Sequence, residues 1–192
     1  MIEFFSGHHN LIVILHLISA AVGLGAATAT DVLFFKFLKD FRISKFEADT
    51  MKVLSPVIWT ALGLALLSGL GLYLPAADIL HAKPKFLVKM LAFIVVIVNG
   101  VFLNSYITPR LEKISFGKRH RHQPGELHHI RKIAFASGAV SIISWYSAFI
   151  LGAFRGLALS FENILFIYLA ALVLGIAGSQ FFERWTAFRA GE

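Results

Sequence analysis

Residues 86–107 read FLVKMLAFIVVIVNGVFLNSYI, with Lys89 as the one charged side chain. A helix of about 20 apolar residues crosses the roughly 30 Å hydrocarbon core of a bilayer, and this stretch is long enough to do so. A continuous apolar run is typical of a membrane helix, whereas barrel strands are short and alternate in polarity. The stretch therefore predicts a helical membrane protein.

Four other stretches of the chain have the same character. The five predicted spans are 10–35, 54–74, 86–107, 133–154 and 164–182. Hydrophobic residues make up 57% of the chain and charged residues 15%, which is too little charge to cover a soluble domain. A length of 192 residues fits one bundle, so residues 1–192 are predicted to form a single all-α domain.

The basic residues predict how the five spans are oriented. One side collects Lys36, Lys39, Arg42, Lys45, Lys52, Arg110, Lys113, Lys118, Arg119, Arg121, Arg131, Lys132, Arg184 and Arg189, and the other has Lys83, Lys85 and Arg155. The richer side of a protein in the cytoplasmic (inner) membrane faces the cytoplasm, so the N-terminus is predicted outside and the C-terminus inside. The net charge of +7 thus reports orientation, and no nucleic-acid partner is expected.

Local signals mark where the helices begin. Ser44 and Glu47 have capping-box spacing, which predicts the start of the second helix, and Pro56 is expected to kink that helix. Pro84 fits the first turn of the third helix, and the fourth is expected to begin at Pro124 or just after it. The chain contains no cysteine, which excludes thiolate-held metal sites and disulfides.

Two ionisable residues, His16 and Lys89, lie clearly inside the spans at a similar predicted depth, roughly 7–9 Å below the outer boundary. Such residues are costly in a membrane and usually face the bundle, so both are candidate site residues. A neutral histidine is the common axial ligand of haem iron, and the alternative is a hydrogen bond between helices. Lys89 would pair with a carboxylate, or its long stem would reach the interface.

Other polar and small residues have simpler interpretations. Asp31 is expected at the inner interface, where a pair with Lys36 or a capping contact is the simpler account and a proton or cation role is the alternative. Asn99 and Asn104 are expected to form interhelical hydrogen bonds. Small residues recur on helices one, four and five, at Ser19, Gly23 and Ala27, at Ser137, Ser141, Ser144 and Ala148, and at Gly175 and Ser179. They predict close helix packing, with a flat ligand as the alternative.

The first three spans resemble those of a known superfamily. HLISAAVGLGAATATDVLFFKFL (16–38) is similar to the first helix of HemJ-type protoporphyrinogen oxidases and CopD-type copper-resistance proteins, which carries a histidine near its outer end. LSPVIWTALGLALLSGLGLYL (54–74) and KFLVKMLAFIVVIVNGVFLNSYITPRLEKI (85–114) are similar to their second and third helices. The resemblance covers about the first 115 residues and implies a small bundle that binds haem b, with His16 as the iron ligand and Lys89 as the matching lysine.

The sequence therefore favours a membrane redox protein of HemJ/CopD-like architecture. It would hold haem b near the outer leaflet and pass electrons to or from a quinone or a porphyrin-like tetrapyrrole. The alternative is a non-enzymatic membrane protein, either a transporter of a small solute or metal ion or an accessory subunit of a larger complex. Its expected partners are the lipid bilayer and, in either case, further copies of the chain or a larger membrane complex.

Overall fold

The computed structural model describes residues 5, 7–37, 45–110, 126–154 and 156–190. It contains five long helices: α1 His9–Phe37, α2 Lys45–Tyr73, α3 Pro84–Phe102, α4 Glu126–Ala153 and α5 Phe161–Ala190. Each is long and apolar enough to cross a membrane. The described ranges contain no strand, which confirms the predicted all-α bundle of five candidate membrane helices.

The helices begin near the predicted positions and extend beyond the apolar runs. The second begins at Lys45, as the capping-box spacing indicates, and contains Pro56 inside it. Pro84 stands in the first turn of α3, and α4 begins at Glu126. Backbone hydrogen bonding continues past the hydrocarbon region, so helices are longer than the spans that hydropathy marks.

The two ends of the bundle are named here for one residue of α1 near each of them. The His16 end holds the start of α1 and the connection between α2 and α3. The Asp31 end holds the end of α1 and the start of α2. Because the helices alternate in direction, the end of α3 and the start of α4 also lie at the Asp31 end.

Helix packing divides the bundle into two parts. α2 packs mainly on α1, whereas α3 packs on α4 and α5, and α4 also packs on α5. The contact between α1 and α4 joins the α1–α2 pair to the α3–α5 group. One apolar cluster, with Ala27 on α1, Leu62 on α2, Val96 on α3 and Trp145 on α4, packs across the boundary between the two parts.

The connection between the two parts lies at the His16 end. It runs through a short 3₁₀ turn, Leu74–Ala76, and a four-residue helix, Ala77–Leu80. The Tyr73 ring stacks on the ring of Phe86 at a centroid distance of 5.5 Å, and its hydroxyl lies 2.9 Å from Nε2 of His81. These ring contacts hold α2 and α3 together at this end.

Small residues give the close packing that the sequence predicts. A Cβ built on Gly23 would lie 2.7 Å from the Trp145 ring and 3.2 Å from Cβ of Ala61, so α1 approaches both α2 and α4 there. Ser137, Ser141 and Ser144 of α4 are buried, and the Ser144 hydroxyl lies 2.9 Å from the hydroxyl of Tyr168 on α5. The small-residue stripes thus serve helix contact in this structure.

A buried ion pair joins α4 to α5 at the Asp31 end. Nε of Arg131 donates to Oε1 of Glu183 at 2.8 Å, and Nη2 of the same guanidinium contacts the same oxygen. Both side chains are completely buried. Beside it, the Gln180 amide donates to the carbonyl of Lys132 at 3.0 Å. The pair fixes the register of the two helices, because a slip would leave two charges without each other in an apolar setting.

Two helices depart from regular α geometry, and they do so at the same level. Pro56 interrupts the hydrogen bonding of α2, because proline has no backbone N–H. After Phe102, the third helix continues as a π-helical segment over Leu103–Ile107. The Thr108 hydroxyl donates to the carbonyl of Leu103 at 3.0 Å within this wider turn. Such π segments occur often at functional sites.

Candidate binding site around Asp31

A cavity of about 290 Å³ lies between the two parts of the bundle, toward the Asp31 end. Four helices form its walls. α1 contributes Asp31 and Phe34, α2 contributes Ser55, Pro56 and Trp59, the third helix contributes Gly100, Leu103, Asn104 and Thr108, and α4 contributes Ser141 and Trp145. Both irregular segments, at Pro56 and at Leu103–Ile107, are therefore parts of its wall. This space is called the Asp31 cavity below.

The polar centre of the Asp31 cavity is a carboxyl group. Asp31 is only 5% exposed, about 9 Å along α1 from its end at Phe37. The Ser141 hydroxyl of α4 hydrogen-bonds the carboxyl, whereas its Oδ2 atom is buried without a hydrogen-bond partner. An unsatisfied buried carboxyl oxygen is expensive, so its position in the wall of a cavity makes Asp31 a candidate binding residue.

This placement differs from the simpler sequence interpretation of Asp31. A pair with Lys36 at the interface was the favoured account, and the carboxyl instead faces Ser141 and the cavity, while Lys36 is exposed. The difference arises because the helix turns by about 100° per residue, and five positions carry Lys36 to another face. The alternative of a proton or cation role is the one that this geometry favours.

Indole rings supply most of the aromatic surface of the cavity. Trp59 on α2 and Trp145 on α4 both line it, and Trp145 packs with Ala27, Leu62 and Val96 in one apolar cluster. Carboxyl and hydroxyl groups therefore face aromatic rings across a small space. This combination can fix the orientation of a ligand while an apolar surface covers the rest of it.

Toward the His16 end, the space is closed by packed side chains. Gly23 lies against the Trp145 ring and Ala61, so α1, α2 and α4 are in contact there. Toward the Asp31 end, the lining continues to Lys52 and Thr108, near the start of α2 and the end of the third helix. The Asp31 cavity therefore extends from one end of the bundle and stops at this contact.

The His16 ring forms hydrogen bonds to α2. Its Nδ1 atom lies 3.1 Å from the carbonyl oxygen of Ala65 and 3.1 Å from the Ser68 hydroxyl oxygen. Because a carbonyl only accepts, Nδ1 carries the proton in this arrangement, and the neutral ring keeps the lone pair of Nε2. The interhelical hydrogen bond anticipated as the alternative for His16 is present, and it leaves Nε2 as the ring atom for a ligand.

A flat ligand on the small residues beside His16 was the alternative to close packing, and the structure shows close packing at Gly23. Gly23, one of the small residues proposed to make room, is covered by the Trp145 indole and by Ala61. The His16 ring itself lies against Gly69, whose added Cβ would stand 3.3 Å from Cε1. The small residues of α1 therefore make no room for a flat ligand at Gly23. Haem binding by His16 stays a prediction.

Lys89 lies near His16 and against a different helix. Its ammonium is close enough to the His16 ring for the two groups to interact electrostatically. It packs beside Gly152 in the last turn of α4, and Lys85 donates to the Phe154 carbonyl at 2.6 Å. Cations are stabilised at a helix C-terminus, where carbonyl oxygens carry partial negative charge. This position gives both lysines a structural role, and a carboxylate partner for Lys89 stays a prediction.

Several features of the site could not be read from the sequence. Asn99 donates to the Ser137 carbonyl at 3.0 Å, as expected of an interhelical bond, whereas Asn104 lines the cavity. Arg131 counted only as a basic residue of the predicted cytoplasmic side, yet it is buried on Glu183. The sequence does contain one indication of this ion pair. Glu183 directly follows an apolar run, where an acidic residue is expected to have a basic partner. The π segment at Leu103–Ile107 has no comparable sequence signal.

Comparison with known proteins adds no relative. The chain matches no protein-family model, no curated protein and no solved structure.

Proposed function

We propose that this chain is a small membrane carrier that binds a solute in the Asp31 cavity. The observation that carries the proposal is the buried Asp31 carboxyl, whose Oδ2 has no partner and which lines a cavity between the α1–α2 pair and the α3–α5 group. A carboxyl inside a membrane helix is costly and usually serves ligand or ion binding. The corresponding alternative from the sequence is a transporter of a small solute.

The shape of the bundle supports a carrier in particular. Carriers bind solute near the middle of the membrane and expose the site to one side at a time, by movement of one helix group against another. Here α1–α2 and α3–α5 form two such groups, and the ring contacts of Tyr73 with Phe86 close them at one end. Pro56 and the π segment lie where the helices would bend.

The proposed orientation follows from the excess of basic residues in the segments around residues 36–52 and 110–132. In the cytoplasmic (inner) membrane, such segments are expected to stay in the cytoplasm. The N-terminus would then lie outside and the C-terminus inside, and the Asp31 cavity would open toward the cytoplasm.

Cysteine accessibility tests the carrier proposal directly, since the natural chain contains no cysteine. Asn104→Cys should react with a hydrophilic thiol reagent applied from the Asp31 end, because Asn104 lines the cavity. Val98→Cys, on an exposed face of the same helix, is the matched control and should stay unreactive in lipid. Equal, negligible labelling of both variants would exclude a water-accessible cavity and with it the carrier.

The redox function remains a second candidate, favoured by the single observation that the Nδ1 contacts of His16 leave Nε2 for a ligand. Haem b would be held there, with Lys89 on a carboxylate of the cofactor or of a tetrapyrrole substrate, and a quinone is the other electron partner proposed. Purified protein should then show a Soret band that His16→Ala removes and His129→Ala leaves intact. Haem-supplemented wild-type protein without Soret absorption would exclude this function.

A further inference from the structure

We infer that the solute of the Asp31 cavity is a small protonated amine that carries an aromatic or aliphatic group. This inference rests on the proposed function and names its substrate class. It follows from the charge, the ring surfaces and the size of the Asp31 cavity.

The lining of the cavity carries two charged groups of opposite sign at different places. The Asp31 carboxyl lies on α1, and Lys52 stands on α2 near the cavity's outer end. An N–H donor beside the buried Asp31 carboxyl would offset part of its desolvation cost, and a charged donor would offset more of it than a neutral one. An anionic solute would instead be repelled by the carboxyl.

The ring surfaces favour an organic cation. The indoles of Trp59 and Trp145 both line the cavity. Indole faces attract ammonium groups, and the attraction is stronger where water is excluded. The same rings cover the apolar part of an amine, which a bare inorganic cation does not possess.

A divalent metal ion fits the cavity less well. Hard cations need six or more oxygen ligands, often several of them carboxylates. The cavity offers one carboxyl group, and no cluster of three histidine or acidic residues that could hold a metal forms within the described part of the chain. One carboxylate with hydroxyl neighbours is sufficient for one ammonium group.

The cavity has room for a small amine. Its volume is about 290 Å³, and its lining continues toward the Asp31 end of the bundle. Phenethylamine is a suitable small probe, and two analogues differ from it essentially in charge. 2-Phenylethanol is its neutral counterpart, and phenylacetate is an anionic one.

Tryptophan fluorescence reads occupancy of the cavity. Of the three tryptophans in the chain, Trp59 and Trp145 line the cavity. In a Trp185→Phe background, emission therefore comes only from those two rings. Phenethylamine should change this emission saturably, and at least tenfold lower concentrations should suffice than for 2-phenylethanol or phenylacetate.

Two variants locate the effect. Asp31→Asn should reduce the affinity for phenethylamine at least tenfold, whereas Asp49→Asn, which removes an exposed carboxyl from α2, should leave it unchanged. The comparison of the three ligands needs only the Trp185→Phe protein, so the inference stays testable if Asp31→Asn fails to fold.

Any other outcome would contradict an amine as the solute. These outcomes can be told apart from a failure of the carrier proposal. Equal binding of 2-phenylethanol and phenethylamine would mean a neutral solute, and the carrier would stand. Preference for phenylacetate, or no emission change with any ligand, would also exclude an amine of this size. Whether the cavity is open to solutes at all is decided independently by labelling of Asn104→Cys.

Discussion

At the scale of the residue, the buried carboxyl of Asp31 lowers the stability of the bundle. The side chain is 5% exposed, and one of its carboxyl oxygens has no hydrogen-bond partner in the structure. Positions that break a rule of stability without local compensation are often functional ones. Sequence reasoning located the residue on α1 and assigned it to an interface, because the direction of a side chain depends on which helices cover it.

Replacing Asp31 should therefore stabilise the protein while it weakens solute binding. Asp31→Asn keeps the size of the side chain and removes the buried acid, so the free energy of unfolding should rise by about 1–3 kcal/mol. The apparent unfolding temperature of the purified protein in detergent measures this change. Asp49→Asn should leave that temperature where it is, and a lower temperature for Asp31→Asn would mean that the carboxyl stabilises the bundle.

At the scale of the element, α1 has two glycines with opposite surroundings. Gly23 is buried against Trp145 and Ala61, whereas no atom would lie within 4 Å of a Cβ on Gly25. Both glycines are part of the same small-residue pattern in the sequence, so the pattern predicts close packing without saying which glycine provides it.

The two glycines form a matched pair for mutation. Gly23→Ala should lower the free energy of unfolding by about 1–3 kcal/mol, because the added methyl group forces the Trp145 ring or α1 to move. Gly25→Ala should be neutral or slightly stabilising, since alanine favours the helix. Thermal unfolding of both variants in one detergent compares them, and equal midpoints would contradict the close contact at Gly23.

The Arg131–Glu183 pair makes a second prediction for helix packing. Glu183→Gln leaves a buried guanidinium without its carboxylate and should destabilise the bundle by about 3–5 kcal/mol. The double variant Arg131→Met with Glu183→Leu removes both charges and should recover most of that loss. Chemical or thermal unfolding gives the comparison. A double variant as unstable as Glu183→Gln would indicate that the two residues stabilise the bundle through their other contacts.

At the scale of the whole molecule, hydropathy predicts the fold class well and the site poorly. Five apolar runs identify five helices, because a segment that crosses lipid must pair its backbone N–H and C=O groups with each other. The Asp31 cavity depends instead on which helices are neighbours, and Asp31, Trp59, Asn104 and Ser141 come from four different helices. No spacing within one helix encodes that assembly.

The orientation of the whole bundle can be tested with two single cysteines in the naturally cysteine-free chain. Ala82→Cys lies in the connection between α2 and α3, and Ser115→Cys lies in the basic segment before α4. An impermeant thiol reagent on intact cells should label Ala82→Cys and leave Ser115→Cys unlabelled, because basic segments stay in the cytoplasm. The reverse pattern would place the Asp31 end outside.

The order of the helices along the chain also matters during synthesis. Asp31 is in α1, which emerges from the ribosome before α4, and α4 supplies its neighbour Ser141. For an interval of translation, α1 must therefore enter the membrane with this acid before its later neighbour exists. The cost is below the about 2.5–3.5 kcal/mol of a central position, because Asp31 lies near the end of the helix. The apolar residues of α1 have to offset that cost on their own, so further polar substitutions in α1 should impair its insertion.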